Sequence, residues 1–182
     1  MAITRIITPS ITDDAVNASK FDETDNYSFT GTVSGAGGGI FESQLLHVRD
    51  EKASGTDGGT SANGIVDRDL NTVKVNEITG ASLSSNQITL PSGTYYVEGM
   101  TATFAGGATQ MYLYNVTDSS FEVNGISEYG GSPSMTGRFT ISAQKVFKIR
   151  MNSSNGEPST GLGQSSDEST EVYTDVKIWK VA

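Results

Sequence analysis

Residues 171–181 read EVYTDVKIWKV, and they place apolar side chains on both faces of a predicted strand. Successive residues of a strand point to opposite sides. One face therefore carries Val172, Val176 and Ile178. The other face carries Tyr173, Trp179 and Val181. Because a half-buried antiparallel strand needs only one apolar face, we expect other copies of the protein to cover the face with the only tryptophan in the chain.

The composition favours an all-β protein with many turns. Hydrophobic residues make up 35% of the 182 residues and charged residues 18%, both low for a globular domain. The chain has 21 glycines but only 4 prolines. Glycine-rich turns between short strands are typical of antiparallel sandwiches, and a chain of this length can bury one hydrophobic core.

Charge and residue usage exclude several classes of protein. The net charge is -9 and no basic block offsets it, so binding of nucleic acid through phosphates is not expected. The chain has no cysteine, which excludes disulfides and thiolate metal sites. No apolar stretch reaches the length of a membrane span, and the N-terminus lacks the apolar core of a secretory signal. We therefore expect no membrane insertion and no standard export.

Residues 41–182 alternate strand-like segments with turn signals, at the spacing of a sandwich or barrel. The predicted strands cover residues 44–49, 70–78, 87–90, 94–104, 109–116, 121–126, 137–141, 145–151 and 171–181. The clearest is 145–151, which has one apolar and one basic face. The apolar face carries Phe147, Ile149 and Met151, and the basic face Lys148 and Arg150. Residues 41–182 are therefore predicted to form one antiparallel β-sandwich.

Residues 1–40 have a different pattern and are predicted to form an extended N-terminal arm. A short helix after Asp13 and a single strand over 27–33 are plausible, and the glycine-rich run 34–39 would act as a joint. The arm has too few apolar side chains to form a separate core. We therefore expect it to attach to another protein. The candidate attachment residues are Ile6, Ile7, Val16, Phe21 and Phe29.

Two resemblances follow from particular segments. The run ITLPSGTYYV (88–97) resembles the apolar strand, Pro-x-Gly turn and tyrosine-rich strand of jelly rolls such as tumour necrosis factor and the globular head of complement. Segments 45–52, 112–115 and 173–179 look like a module found in structural proteins of tailed bacteriophages. In the arm, 12–21 and 29–33 are similar to stalk and attachment segments of phage fibres.

These resemblances imply a homotrimeric jelly roll exposed on a virion, without catalytic activity. The stalk-like element occurs once, which favours a short spike or a knob over a long fibre. On this interpretation the trimer-interface candidates are Tyr95, Tyr112, Tyr173 and Trp179. The partners would be two more copies and, through the arm, a tail protein or the major capsid protein. The protein would be made in the host cytoplasm and end on the virion surface.

The sequence offers little for catalysis. His47 is the only histidine, and a serine triad built on it would need a nucleophile motif that the chain lacks. His47 is therefore predicted to be a strand residue with a local hydrogen bond. Glu98 is the best candidate for a glycosidase acid, and the alternative is a carboxylate beside a cross-strand Lys or Arg, or on the wetter face. We predict that the protein is not an enzyme.

No cofactor is predicted. Calcium would be the metal that the acidic loops suit best, since it prefers carboxylate and carbonyl oxygens. The candidate ligands are Asp50, Asp57, Asp67 and Asp69. Their spacing matches no defined calcium loop, and acidic loops are commonly just solvated.

Three functions remain open at this point. The first is an adhesin whose polar loops 50–63, 129–135 and 152–169 touch a glycan or protein of the host surface, with Asp57, Tyr129 and Glu157 as contact candidates. The second is a capsid decoration (cement) protein that binds at three-fold positions and stabilises the head. The third, a glycan-degrading spike, would need a catalytic pair of carboxylates that the sequence does not display.

Overall fold

The computed structural model describes residues 44–181, which form antiparallel strands and no helix within that range. The strands are β1 (Gln44–Lys52), β2 (Gly64–Asp67), β3 (Thr72–Asn76), β4 (Ser82–Ser84), β5 (Gln87–Leu90), β6 (Gly93–Thr101), β7 (Ala108–Asn115), β8 (Ser120–Asn124), β9 (Glu128–Tyr129), β10 (Ser134–Ile141), β11 (Lys145–Ser153) and β12 (Glu171–Lys180). Residues 44–181 contain no helix, and therefore no helix that could span a membrane.

The strands form two sheets, which we call the first and the second sheet. The first has the order β10-β6-β12-β1-β3. The second has the order β4-β5-β11-β7-β8, with β2 paired to β11 and β9 paired to β7. The chain passes repeatedly from one sheet to the other, as β5, β6 and β7 do, which is the connectivity of a jelly roll. The predicted all-β antiparallel sandwich is confirmed.

The hydrophobic core lies between the two sheets. Alternate residues of each long strand point inward and have no accessible surface: Leu46, Val48, Tyr95, Val97, Val176 and Ile178 from the first sheet, and Ile88, Leu90, Met111, Leu113, Phe147 and Ile149 from the second. The ring of Phe139 joins the two layers. It lies 5.5 Å from Tyr95 and 5.6 Å from Phe147, measured between ring centroids. The pattern predicted for 145–151 is confirmed, since Met151 is also fully buried.

The first and last strands of the described range are neighbours in the first sheet. β1 pairs with β12 from Gln44 opposite Lys180 to Lys52 opposite Glu171. The register shifts between Asp50, which faces Thr174, and Glu51, which faces Val172. One residue of β12 is therefore extra on its strand, which is the geometry of a β-bulge.

The bulge reverses the alternation at the start of β12. Tyr173 is only 3% exposed, whereas Val172 is 40% exposed. The prediction that Val172 shares the core face of Val176 and Ile178 is therefore wrong, although the placement of the latter two is confirmed. A regular period of two does not hold across an inserted residue.

The two long loops, residues 53–63 and 154–170, are hydrogen-bonded to each other. The backbone N–H of Gly58 donates to the carbonyl of Gly163 over 2.8 Å. Ser61 and Glu157 exchange two backbone hydrogen bonds of 3.0 and 3.1 Å. A side chain at Gly58 would overlap the carbonyl of Leu162, so only glycine allows this approach. These hydrogen bonds join the two loops into one layer, which we call the loop layer.

The buried side chain of Arg68 holds this loop layer in place. Its side chain is 1% exposed. Its Nη2 donates to the carbonyls of Leu162 and Tyr173, each over 2.9 Å, and its Nε donates to the hydroxyl of Thr174 over 3.2 Å. Burial lowers the pKa of Arg68 to about 10, against the opposing effect of the nearby Asp50 carboxylate. The guanidinium thus connects the second long loop to the bulge of β12.

The carboxylate of Glu171 also holds the loop layer in place. Its carboxylate accepts hydrogen bonds from the backbone N–H groups of Ser166, Asp167 and Gly55, which belong to both long loops. These bonds, led by that from Ser166, hold the pKa of Glu171 below its ordinary value. The ionised carboxylate is therefore part of the loop structure.

Candidate assembly interface

The outer face of the first sheet carries the predicted tryptophan surface. The strand registers place Trp179 between Tyr96 of β6 and Leu45 of β1. The rings of Trp179 and Tyr96 have centroids 5.9 Å apart and are tilted by 43°. Beyond Tyr96 the row ends at Arg138 on the edge strand β10. The aromatic pair thus occupies the middle strands of a five-stranded sheet.

A groove of about 530 Å³ adjoins this pair. Tyr96, Met100 and Ile126 line it and are 41%, 56% and 68% exposed. Gly99 and Met135 contribute to its lining as well. Exposed apolar side chains that cluster in this way on a folded domain mark interaction surfaces more often than isolated ones do.

A polar network occupies the rest of the same face. The carboxylate of Asp175 lies 2.5 Å from Arg49 Nε, 3.1 Å from His47 Nε2 and 3.3 Å from Lys177 Nζ. Burial would raise the pKa of Asp175, but the hydrogen bonds from His47, Arg49 and Lys177 outweigh it and hold that pKa below its ordinary value. The prediction that His47 makes a local hydrogen bond is confirmed.

Glu98 also lies on this outer face. Its side chain is exposed, and its register neighbours are Lys177 on β12 and Thr136 on β10. A general acid of a glycosidase needs a desolvated carboxyl with a raised pKa. The position of Glu98 is therefore that of the predicted alternative, a carboxylate on the wetter face beside a cross-strand lysine.

Of the four trimer-interface candidates, only Trp179 lies on the outer face of the first sheet. Tyr95 has no accessible surface, and its hydroxyl donates to the carbonyl of Pro91 over 2.7 Å. Tyr173 lies beneath the loop layer and donates to the carbonyl of Thr56 over 2.8 Å. The prediction of Tyr95 and Tyr173 as surface residues is wrong, because both rings point into the protein.

Burial of these two tyrosines also shifts the pKa values of their hydroxyls. Burial raises the pKa of Tyr95. For Tyr173, burial and the nearby carboxylates, led by Glu171, raise the pKa to about 12. Both hydroxyls therefore stay protonated and act as donors at neutral pH.

Tyr112 is half-buried on the outer face of the second sheet, so the structure does not bring it together with Trp179. Tyr96, which was not predicted, takes its place beside the tryptophan. The sequence contains a signal for the outward position of Tyr96. Residues two apart lie on the same face of a strand, so Tyr96 lies on the face of the charged Glu98, whereas Tyr95 lies on the face of the apolar Val97.

The four calcium candidates are not gathered into one site. Asp67 lies on the second sheet and binds Lys148 and Arg150 over 2.7 and 2.8 Å. The other three have partners of their own: Asp50 accepts from Asn71, Asp57 from the backbone of Ser165, and Asp69 from Asn86. Within residues 44–181, no group of three His, Cys, Asp or Glu side chains is arranged to hold a metal ion.

The loop candidates differ in how accessible they are. Tyr129 is 82% exposed. Asp57 and Glu157 are half-buried within the loop layer, where Glu157 pairs through its backbone with Ser61. The five arm candidates, Ile6, Ile7, Val16, Phe21 and Phe29, lie outside the described residues and stay predictions.

The sequence matches no protein-family model and no curated protein sequence. Solved structures do share its fold. The crystal structure of murine APRIL at pH 8.0 is 10% identical, covers 75% of this chain and 98% of its own, and has a TM-score of 0.52. A second crystal structure of murine APRIL, at pH 8.5, is 8% identical with the same coverage and a TM-score of 0.49. The chain therefore has a jelly roll of the tumour-necrosis-factor type.

Proposed function

We propose that the protein is a non-enzymatic structural protein of a tailed-phage virion, a homotrimeric knob or short fibre on the virion surface. Residues 1–40 anchor it to a tail or capsid protein, and its outward surface contacts the host. The observation that carries the assembly is the outer face of the first sheet, where Trp179 and Tyr96 lie beside a groove that the exposed side chains of Met100 and Ile126 help to line.

The shape of this face suits a closed ring of copies. A groove needs a convex partner, so two copies related by rotation would contact each other through two different patches. Such head-to-tail contacts close into a ring when the rotation permits. The number three comes from the resemblance of the sequence to trimeric jelly rolls of the tumour-necrosis-factor type. In that arrangement Trp179 lies near the three-fold axis.

The virion role is supported by the sequence. Segments 45–52, 112–115 and 173–179 resemble a module of phage structural proteins, and the arm resembles fibre attachment segments. The described residues are consistent with a structural role in one further respect. The single histidine and Arg49 both donate to the carboxylate of Asp175 within the polar network of the proposed interface.

The assembly is tested by the mass of the full-length protein in solution. Light scattering at micromolar concentration should give the mass of three chains of 19.2 kDa. A mass of one chain that persists as the concentration rises contradicts the trimer. A mass of two chains contradicts both the three-fold axis and the head-to-tail contact, because a two-fold dimer buries the same patch on both copies.

The location is tested by the number of copies per particle. The stained-gel intensity of this chain would be compared with that of the major capsid protein in purified virions. Tens of copies or fewer support a tail knob or fibre. Hundreds support the capsid decoration protein instead. If the chain is absent from purified particles, the virion role is wrong whatever its oligomeric state.

A further inference from the structure

Three aromatic rings cluster on the outer face of the second sheet, the side of the sandwich opposite the proposed interface. The ring of Phe121 on β8 lies 4.8 Å from that of Tyr112 and 5.3 Å from that of Tyr114, both on β7. Phe121 is 45% exposed, and the two tyrosines are half-buried. We call these three residues the aromatic platform. The tyrosines hold the phenylalanine ring in place while a large part of it faces solvent.

Charged groups of fixed position line one side of the platform. The guanidinium of Arg150 lies over the ring of Tyr114, 3.6 Å from its centroid. The Nε of Arg150 donates to one oxygen of Asp67 over 2.8 Å, and Lys148 donates to the other oxygen over 2.7 Å. These three charged side chains are between 25% and 43% exposed, so they remain open to a ligand.

An amide lies at one end of the platform, on the same strand as the two tyrosines. The hydroxyl of Tyr112 donates to Gln110 Oε1 over 2.7 Å. Gln110 Nε2 in turn donates to the carbonyl of Gly125 over 2.8 Å. The platform is therefore bordered by planar polar groups whose orientations are set by hydrogen bonds within the protein.

We propose that the aromatic platform binds a neutral saccharide, a hexose or N-acetylhexosamine unit of a surface glycan. A pyranose ring has a face of C–H groups that packs against an aromatic ring, and hydroxyls at its edge that need fixed donors and acceptors. Phe121 supplies the first surface, and Asp67, Arg150 and Gln110 supply the second. An apolar protein partner would desolvate the ion pairs of Asp67 without replacing their water, which is unfavourable.

The local charge favours a neutral ligand over an anionic one. The cations on β11 are Lys145, Lys148 and Arg150. Their ion-pair partners are Asp67, which binds Lys148 and Arg150, and Asp118, which binds Lys145. Each of the three cations is therefore already paired with a carboxylate, which weakens its attraction for an acidic sugar.

This inference depends on the proposed function in one respect, that the first sheet is the face between copies. The outer faces of a two-layer sandwich point in opposite directions. If the first sheet faces the other copies, the second sheet is turned away from them. Three platforms would then be displayed per trimer, and several weak sugar contacts would add up through multivalency.

The test uses the full-length protein on an array of neutral hexose and N-acetylhexosamine oligosaccharides, followed by calorimetric titration with a soluble oligosaccharide that binds. Phe121→Ala should lower the affinity roughly tenfold, the effect of losing one aromatic contact. Phe104→Ala is the matched control, since Phe104 is 43% exposed and lies outside the platform. It should bind as the wild type does, and Phe121→Tyr should retain binding.

Several results would overturn the proposal. They are the absence of any bound neutral oligosaccharide, equal affinity in Phe121→Ala and wild type, and an equal loss in Phe104→Ala. Light scattering separates the proposal from the assembly. If Phe121→Ala dissociates the trimer, this face is an interface between copies and the saccharide site is wrong. If Trp179→Asp gives a folded monomer whose affinity per site is unchanged, the site stands without the assembly.

Discussion

Trp179 and Tyr96 lie side by side on neighbouring strands, with ring centroids 5.9 Å apart, on a face that the hydrophobic core does not need. The core is closed on the other side of the same strands by Val176, Ile178 and Val97. These two outward rings in the middle of a sheet are the basis of the proposed interface between copies.

If the proposed trimer forms through this face, replacing Trp179 by Asp should abolish it. A carboxylate at this position would be buried without a partner if the interface formed, which costs more than the interface can offset. Light scattering should give a monomer, or the protein should become insoluble through its uncovered apolar face. Lys148→Asp is the control on the second sheet and should remain a trimer. A trimeric Trp179→Asp protein would show that the interface lies elsewhere.

Removal of a core ring should destabilise the protein without altering either outer face. Phe147 has no accessible surface and packs against Phe139 across the two sheets. Phe147→Ala should lower the free energy of unfolding by about 3–5 kcal/mol, the usual cost of such a cavity. Urea denaturation measures this. Phe104→Ala, at an exposed phenylalanine, should change the free energy of unfolding far less.

Loss of the buried arginine should release the loop layer. Arg68→Ala leaves the carbonyls of Leu162 and Tyr173 without their donor in a buried site, at a cost of about 3 kcal/mol or more. Arg68→Lys should restore little, because an ammonium group cannot reproduce the planar fork. Limited proteolysis should cut near residues 152–169 faster in both variants. Unchanged cleavage would mean that the loops are held by their own hydrogen bonds alone.

The loop layer should also respond to acid through Glu171. The folded pKa of Glu171 lies below its ordinary value of 4.5, because the backbone N–H groups of Ser166, Asp167 and Gly55 stabilise the carboxylate. Its contribution to stability is therefore complete above about pH 4.5 and is lost as the pH falls through the folded pKa.

Glu171→Gln removes that charge while keeping the shape of the side chain. The variant should be less stable than the wild type at pH 7, and the difference should shrink as the pH falls below about 4.5. Urea midpoints at several pH values measure it. Asp67 and Asp175, whose pKa values are also lowered, are present in both proteins and so do not affect the comparison. A pH-independent difference would show that the carboxylate has no special role in the loops.

The regular strands could be predicted because their side chains alternate without interruption. Phe147, Ile149 and Met151 point into the core as their spacing indicates. The same rule failed for Val172 and Tyr173, since an inserted residue in β12 reverses the alternation there. A bulge depends on the partner strand, and nothing in the residues of β12 alone reveals it. Strands of two to four residues, such as β9, are also too short to show a period.

The candidate site could be predicted only in part. A sandwich has two outer faces, and alternation indicates that Tyr112 points outward without indicating on which sheet. Two adjacent tyrosines of a strand must point in opposite directions. The neighbours of Tyr95 therefore contain the signal that it points inward, which the prediction of Tyr95 at the interface does not use. The loop layer could not be foreseen, since Gly58 and Gly163 meet across about a hundred residues of chain through backbone groups that any sequence has.

The pairing of Gln44 with Lys180 has a consequence for how the chain can be reordered. Neighbouring antiparallel strands place paired Cα atoms about 5 Å apart, so the two ends of the described range lie side by side at one end of the first sheet. A short linker could join them in a circular permutant, with new ends opened at the exposed Ser132, between β9 and β10. Every strand pair would be kept while the point of attachment moved to another part of the domain. The jelly roll thus depends on which strands are neighbours and not on which of them is synthesised first.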